Sequence, residues 1–99
     1  EHIAYIETSQ IDGETNLKLR RAVSLFANDH AASADEALDR VLSLRAAVEC
    51  EGPNVRINSF TGVCKPEGGA PPVPIDIENI ILRGSMLRNT RWAYGVVIY

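Results

Sequence analysis

The chain has 99 residues and a mass of 10.8 kDa, which allows one small domain with a modest core. Hydrophobic residues make up 45% and charged residues 23%, values that exclude a disordered, collagen-like or disulfide-dense chain. The net charge of -3 argues against non-specific binding of nucleic acid, and no apolar run is long enough to span a membrane.

Cysteine and histidine usage predicts no metal site and no cofactor within these residues. Cys50 and Cys64 allow at most one disulfide, fewer than small secreted scaffolds use, so we predict a reduced pair. Together with His2 and His30 they lack the short paired spacings of structural zinc sites. The chain begins without methionine and ends in an apolar run, and we expect it to be a segment of a longer protein.

The first predicted elements are two strands joined by a turn. Ile3–Thr8 alternates with β-branched and aromatic side chains, which predicts a strand. Asp12-Gly13 is a strong turn dipeptide, and alternation over 17–20 predicts a second strand behind it. We therefore expect Asp12–Thr15 at an exposed loop tip.

A helix and a hairpin are predicted next. Residues 22–34 have no sustained period, which predicts a connection with a helical turn at 23–27. Ser33 followed by Glu36 fits a capping box, and the apolar stripe behind it predicts a helix that ends near Leu44. Period-two alternation then predicts a hairpin of two strands, 44–50 and 55–63.

The last third is predicted to contain a loop and two strands. Lys65–Pro74 is rich in glycine and proline, which predicts a loop. Ile80–Leu87 predicts a strand with a bulge or close approach at Gly84. Trp92–Tyr99 predicts a final strand with its aromatic side chains in the core. The elements together predict a mainly β fold, antiparallel and jelly-roll-like (a distorted double-stranded β-helix), with one inserted α-helix.

The sequence Asp12-Gly13-Glu14-Thr15 is the first candidate for chemistry. A carboxylate on a projecting loop can orient and partly deprotonate a water when another domain delivers an electrophile. Gly13 permits a tight turn, while Asp12 and Thr15 can hold the turn through side-chain to backbone hydrogen bonds that aim Glu14. The alternative is a plain Asp-Gly turn with solvated neighbours, because such turns are abundant. A self-contained acid and base pair of Asp12 and Glu14 is disfavoured, since one exposed loop offers no second wall for a substrate.

The flanks of this loop resemble a known family. Tyr5–Arg20 reads Tyr-Ile-Glu-Thr-Ser-Gln-Ile-Asp-Gly-Glu-Thr-Asn-Leu-Lys-Leu-Arg and closely resembles the actuator-domain signature of phospholipid-transporting P-type ATPases, the lipid flippases. Further blocks resemble the family in the right order: Val48–Asn54, Phe60–Gly62 and Ile81–Tyr99. An Asp-Gly-Glu-Thr loop in this frame is typical of the lipid-transporting branch, whereas ion pumps usually have Thr-Gly-Glu-Ser or Thr-Gly-Glu-Ala.

The resemblance implies a partial actuator domain over residues 1–99, with variable excursions at about 22–44 and 65–79. It implies a location on the cytosolic face of an integral membrane protein. Glu14 would position the water that hydrolyses an aspartyl phosphate formed in another domain. Asp12, Gly13 and Thr15 would support the loop.

The resemblance also implies what the parent protein uses and contacts. ATP and magnesium are the expected cofactors of the parent, while the chain by itself is expected to be inactive. The expected partners are the phosphorylation and nucleotide-binding domains of the same parent chain, an accessory β-subunit, and a phospholipid bound by membrane helices. No nucleic acid is expected among them.

Two further interpretations stay open. The basic side chains either meet acidic faces of neighbouring domains or form a solvated strand face: Lys18, Arg20, Arg21, Arg83, Arg88 and Arg91. The rival function is a stand-alone β-rich module with no catalytic role, which binds a partner through exposed edge strands.

Overall fold

The computed structural model describes residues 3–23 and 33–98, and its strands form two antiparallel three-stranded sheets. The strands are β1 (Ile3–Glu7), β2 (Lys18–Arg21), β3 (Ala46–Cys50), β4 (Thr61–Pro66), β5 (Val73–Asp76) and β6 (Met86–Arg88). The helices are α1 (Ser9–Asp12), α2 (Ala34–Leu42) and a short 3-10 helix (Ile77–Asn79). The prediction of a mainly antiparallel β fold with one inserted helix is confirmed.

The first sheet has the order β2-β1-β6. Its central strand β1 alternates as predicted: Ala4 and Ile6 are buried, while Ile3 and Tyr5 are exposed. In the antiparallel register Ile6 lies opposite Lys18, the first residue of β2. This register brings Lys18 beside the segment that follows β1.

The second sheet has the order β3-β4-β5 and carries the main hydrophobic core. Phe60, Cys64 and Ile75 are buried together there. The predicted hairpin is confirmed as the pairing of β3 with β4, in which Cys50 lies opposite Gly62. Both cysteines are free thiols on these neighbouring strands.

The 3-10 helix connects the two sheets through polar contacts with β2. Arg20 Nε donates to the carbonyl oxygen of Ile80 at 2.7 Å, and Arg21 forms an ion pair with Glu78 at 3.2 Å. Asn79 Nδ2 donates to the carbonyl oxygen of Arg21 at 3.0 Å. The segment that follows β5, from Ile77 to Ile80, is thereby attached to the first sheet, which carries the candidate loop.

Helix α2 begins where the sequence predicts. The Ser33 hydroxyl accepts a hydrogen bond from the Glu36 N–H at 3.2 Å, which satisfies one donor of the first turn. The helix ends at Leu42, two residues before the predicted end at Leu44. The helical turn predicted at 23–27 lies, except for Val23, outside the described residues.

The second strand of the hairpin begins later than predicted. Residues 55–60 are irregular, and Val55 is 94% exposed. The Asn54 side chain accepts from the Arg56 N–H at 2.9 Å, and Glu51 accepts from the Thr61 N–H at 3.0 Å. Because these side chains bind the backbone groups that a strand ladder would use, pairing starts only at Thr61.

The proline-rich loop is shorter than predicted. Strand β4 runs to Pro66, and β5 begins at Val73, so strands enter both ends of the predicted loop at 65–74. Pro74 is tolerated in β5 because this strand lies at the edge of the sheet. Proline has no backbone N–H, and at an edge this removes no hydrogen bond that the sheet interior needs.

The predicted strand over 80–87 is mostly a turn. Only Met86–Arg88 forms a strand, while Ser85 N–H donates to the Leu82 carbonyl at 3.1 Å across a turn that contains Gly84. Gly84 has a φ of +96°, and a Cβ there would lie 3.3 Å from Ile11 Cγ1. The predicted close approach at this glycine is thus correct. The turn requires a positive φ at this position, which favours glycine.

The final strand predicted at 92–99 is wrong over its described part. Residues 92–98 are irregular. Strand β6 ends because Asn89 adopts a positive φ of 47° and the Thr90 hydroxyl accepts from the Tyr5 N–H at 3.0 Å. The rings of Trp92 and Tyr94 contact each other in a tilted arrangement, with centroids 5.6 Å apart and planes at 45°, and each side chain remains about two-fifths exposed instead of entering the core.

Candidate functional site

The candidate loop follows β1 through the short helix α1. The Thr8 carbonyl accepts from the N–H groups of Ile11 at 2.9 Å and Asp12 at 3.0 Å, and the Ser9 carbonyl accepts from the Gly13 N–H at 3.0 Å. Gly13 ends the helix with a φ of +77°. The sequence predicts one exposed tip over residues 12–15, whereas the structure places Asp12 in the helix and exposes the residues after it.

Gly13→Ala is expected to lower the free energy of unfolding by about 1 kcal/mol, because an L-residue in the left-handed region costs about that much. No atom lies within 4 Å of the added Cβ, so backbone strain is the cause and not a clash. Gly13→Asn is the matched control and should lose less, since asparagine tolerates this conformation. Urea unfolding measures both, and equal losses would contradict the argument.

Asp12 is the most heavily bonded side chain of the loop. Its carboxylate accepts from the Thr8 hydroxyl at 3.0 Å, from the Glu14 N–H at 2.9 Å and from Lys18 Nζ at 2.8 Å. The Lys18 hydrogen bond and then the Glu14 N–H lower the pKa of Asp12 to about 2. A carboxylate that stays ionised is a poor proton donor, which further disfavours Asp12 and Glu14 as an acid and base pair.

The stability contributed by Asp12 should depend on pH. Its folded-state pKa of about 2 lies below the ordinary 3.8, so its contribution is full above the ordinary value and is lost as the pH falls toward 2. Asp12→Asn is therefore expected to destabilise the chain at pH 7, with the difference from wild type vanishing near pH 2. Urea unfolding across this range tests it, with the exposed Asp39→Asn as control. A difference that stays constant with pH would contradict the assignment.

The Glu14 carboxylate lies at the surface. Its side chain is 57% exposed, and Oε1 accepts from Lys18 Nζ at 3.0 Å. The backbone N–H of the same residue is held by Asp12. The group is thus fixed at its base and open on its outer side, where it can orient a water toward an electrophile that another surface delivers.

The remaining loop residues contribute unequally. Thr15 is exposed, and its hydroxyl makes no hydrogen bond within residues 3–23 and 33–98. Thr8, which sequence reasoning missed, is buried, and its hydroxyl donates a hydrogen bond to the Asp12 carboxylate. The four-residue spacing of Thr8 and Asp12 is a usable signal only once α1 is recognised as helical. Lys18 appears in the sequence only as one basic residue among several, yet it contacts both loop carboxylates.

The other basic side chains divide into two groups. Arg20 donates to backbone carbonyls, and Arg21 and Arg88 form ion pairs with acidic side chains of the chain itself. Arg83 and Arg91 are exposed and have no ion pair in the part of the chain that the structure describes. Of the basic residues singled out from the sequence, Arg83 and Arg91 are thus the ones left open to meet acidic groups elsewhere.

Among the residues that the structure describes, the other features give no second centre of chemistry. A largely apolar groove of about 460 Å³ lies between α2, β3 and residues 94–96. Among the described residues, no group of three His, Cys, Asp or Glu side chains could hold a metal ion. Within the same ranges, none of the helices has the length and apolar character needed to cross a membrane.

Comparison with known proteins gives consistent relatives over almost the whole chain. No family model matches it. Over 97 residues, 98% of the chain, it is 41% identical to a guanylate cyclase of Toxoplasma gondii, of which it covers 2%. Over the same length it is 40% identical to phospholipid-transporting ATPase IK of Mus musculus and 37% identical to phospholipid-transporting ATPase tat-1 of Caenorhabditis elegans, covering 7% and 8% of them.

The chain therefore spans less than a tenth of the length of these curated relatives. Five phospholipid-transporting ATPases match it at 35–40% identity, each over 98% of the chain. A match of this extent includes the candidate loop and the strands that hold it. The chain is accordingly similar, over almost its whole length, to one short segment of phospholipid-transporting ATPases.

Proposed function

We propose that the chain is the actuator segment of an ATP-driven phospholipid translocase and that its Asp12–Thr15 loop promotes hydrolysis of an aspartyl-phosphate intermediate. The observation that carries this proposal is the Glu14 carboxylate, which is exposed on a loop whose base is fixed by Asp12 and Lys18. The names of the ATPase relatives supply the reaction class.

The proposed chemistry is the attack of water on the phosphorus of an acyl phosphate. A new phosphorus–oxygen bond forms as the bond to the aspartate oxygen breaks, and the aspartate carboxylate leaves with its electron pair. Glu14 accepts the proton of the attacking water, a contribution of about 10² to 10⁴ in rate for a positioned base. Gly13 lets the backbone pass close to the phosphoryl group, because it carries no side chain.

The rest of the machinery would lie in other parts of the parent chain. We propose that its phosphorylation and nucleotide-binding domains use ATP and magnesium, and that the loop meets the phosphorylated aspartate from the cytosolic side of the membrane. The chain by itself has no partner domain to dock on, and it should not hydrolyse ATP. The accessory β-subunit stays a prediction from the family resemblance.

The test is the lifetime of the phosphoenzyme in the full-length parent with Glu14→Gln. Labelled ATP forms the phosphoenzyme, a chase with unlabelled ATP follows its decay, and acid quenching preserves what remains. Slow decay after normal formation is the expected result. Decay at the wild-type rate would refute the role of Glu14.

A second candidate parent is favoured by the match to the guanylate cyclase. In that case the same segment would belong to a longer protein that also converts GTP to cyclic GMP. The two parents differ in a direct assay, since only the second forms cyclic GMP.

The stand-alone interaction module has one observation in its favour. Val96 and Val97 are exposed and follow the partly exposed Trp92 and Tyr94 in the chain, so this segment carries apolar side chains that a partner could cover. That function would survive substitution of Glu14, whereas the proposed hydrolysis would not. The phosphoenzyme experiment therefore separates the two functions.

A further inference from the structure

We propose that Lys18 is the positioning residue of Glu14: anchored on Asp12, its ammonium group holds the Glu14 carboxylate in place and offsets the negative charge of the loop. This inference rests on the proposed function, because it concerns how the same loop meets a phosphorylated partner.

The geometry places the ammonium group between two carboxylates. Lys18 Nζ lies 2.8 Å from Asp12 Oδ2 and 3.0 Å from Glu14 Oε1. The Lys18 side chain is about three-quarters buried and extends from the first residue of β2, where the register sets it opposite the buried Ile6. The lysine thus reaches the loop from a strand of the sheet and is not a free surface side chain.

The anchor of Lys18 is itself fixed. Asp12 is held by the buried Thr8 and by the backbone N–H of Glu14, so its carboxylate cannot follow the lysine away from the loop. Hydrogen bonding to Asp12, and secondly to Glu14, raises the pKa of Lys18 and keeps the ammonium charged. An exposed glutamate otherwise samples several rotamers, and this contact selects among them.

The ammonium group also changes the charge that the loop presents. Asp12 and Glu14 carry two negative charges between them, and Lys18 reduces the sum to one. A phosphorylated aspartate is an anion, so two unshielded carboxylates would repel it at the distances of a docked site. Lys18 thus allows the Glu14 carboxylate to approach the phosphoryl group and to accept a proton from the attacking water.

Lys65, the other lysine of the chain, provides a matched control. It pairs with Glu49 at 2.7 Å across β3 and β4, and both side chains are about half exposed or more. The lysine-carboxylate contact is thus similar, but it lies on the other sheet and away from the loop. Lys65→Met removes the same charge without touching Glu14.

The experiment measures phosphoenzyme decay in the full-length parent. Lys18→Met is expected to slow decay about 10- to 100-fold with normal phosphoenzyme formation, a size typical of a misplaced reacting group. Lys18→Arg keeps a cation at this place and should retain most of the rate, and Lys65→Met should decay as wild type. Normal decay in Lys18→Met would overturn the proposal.

Two readouts separate positioning from a merely structural role. In the Glu14→Gln background, Lys18→Met should slow decay little further, because the group that it positions is already absent. Raising the salt concentration should partly restore the rate of Lys18→Met, since salt screens the repulsion between loop and phosphate. Equal slowing by Lys18→Met in both backgrounds, or no effect of salt, would overturn the proposal.

The outcomes also distinguish this inference from the proposed function. Slow decay in Glu14→Gln together with normal decay in Lys18→Met would refute only the role of Lys18. Normal decay in Glu14→Gln would refute the proposed function of the loop in phosphoenzyme hydrolysis. If Lys18→Met fails to form phosphoenzyme, Asp12→Asn replaces it, because that variant removes the charged anchor and keeps an acceptor for the Glu14 N–H. Normal decay in Asp12→Asn would then overturn the inference.

Discussion

Phosphoenzyme of the full-length parent carrying Glu14→Gln is expected to form from ATP at the normal rate and to decay about 10² to 10⁴ times more slowly than wild type. Glutamine is nearly isosteric with glutamate, so the loop keeps its backbone contacts to Asp12 while the base is lost. The expected factor corresponds to about 3 to 5 kcal/mol of activation free energy.

Two controls make this result specific. Glu14→Asp keeps a carboxylate but shortens its reach, so decay should fall between the rates of wild type and Glu14→Gln. Glu49→Gln removes a comparably exposed glutamate, one that pairs with Lys65 on the other sheet, and should decay normally. Slow decay in Glu49→Gln would mean that loss of charge alone, and not the position of the base, controls the rate.

Gly62→Ala is expected to produce the largest loss of stability among the glycine substitutions, about 1 to 3 kcal/mol for an overpacked site. A Cβ at this position would lie 2.9 Å from Cys50 Cβ, 3.1 Å from the Glu49 carbonyl oxygen and 3.1 Å from Phe60 Cε2. The backbone oxygen cannot move without disturbing the ladder between β3 and β4. Gly62 thus fits because only hydrogen occupies the space beneath Phe60.

Thermal unfolding of the chain measures this effect, at roughly 4 to 8 °C of Tm for each kcal/mol in a domain of this size. Gly52→Ala is the matched control, because no atom lies within 4 Å of its added Cβ and its φ is not positive. That variant should be close to neutral or slightly stabilised. Equal Tm values for both variants would contradict the packing argument at Gly62.

Local patterns predicted part of the regular structure, although helix α1 before the candidate loop was not predicted. Alternation in Ile3–Thr8 identified β1, and the Ser33 cap fixed the start of α2, because both signals depend on neighbours in the sequence. The dipeptide Asp12-Gly13 marked a chain reversal, and its glycine does adopt a positive φ. Each of these signals involves residues that lie within a few positions of one another in the sequence.

Predictions that depended on distant partners were less accurate. The apolar run after Thr90 has the composition of a strand, yet in the described residues it finds no strand to pair with. Asn89 ends the ladder because its φ is positive, and the Thr90 hydroxyl accepts a hydrogen bond from the N–H of Tyr5, which lies near the other end of the sequence. β-propensity alone cannot anticipate such a contact, because pairing decides whether a strand forms.

The sequence by itself predicted the mainly β character, the glutamate-bearing turn and, through its motifs, the resemblance to phospholipid-transporting ATPases, since each of these signals lies in a short stretch of residues. Only the tertiary structure decided that Lys18 contacts both Asp12 and Glu14 and that Gly62 lies beneath Phe60. Those contacts depend on the register of paired strands. A shift of one residue in that register would turn each side chain to the opposite face.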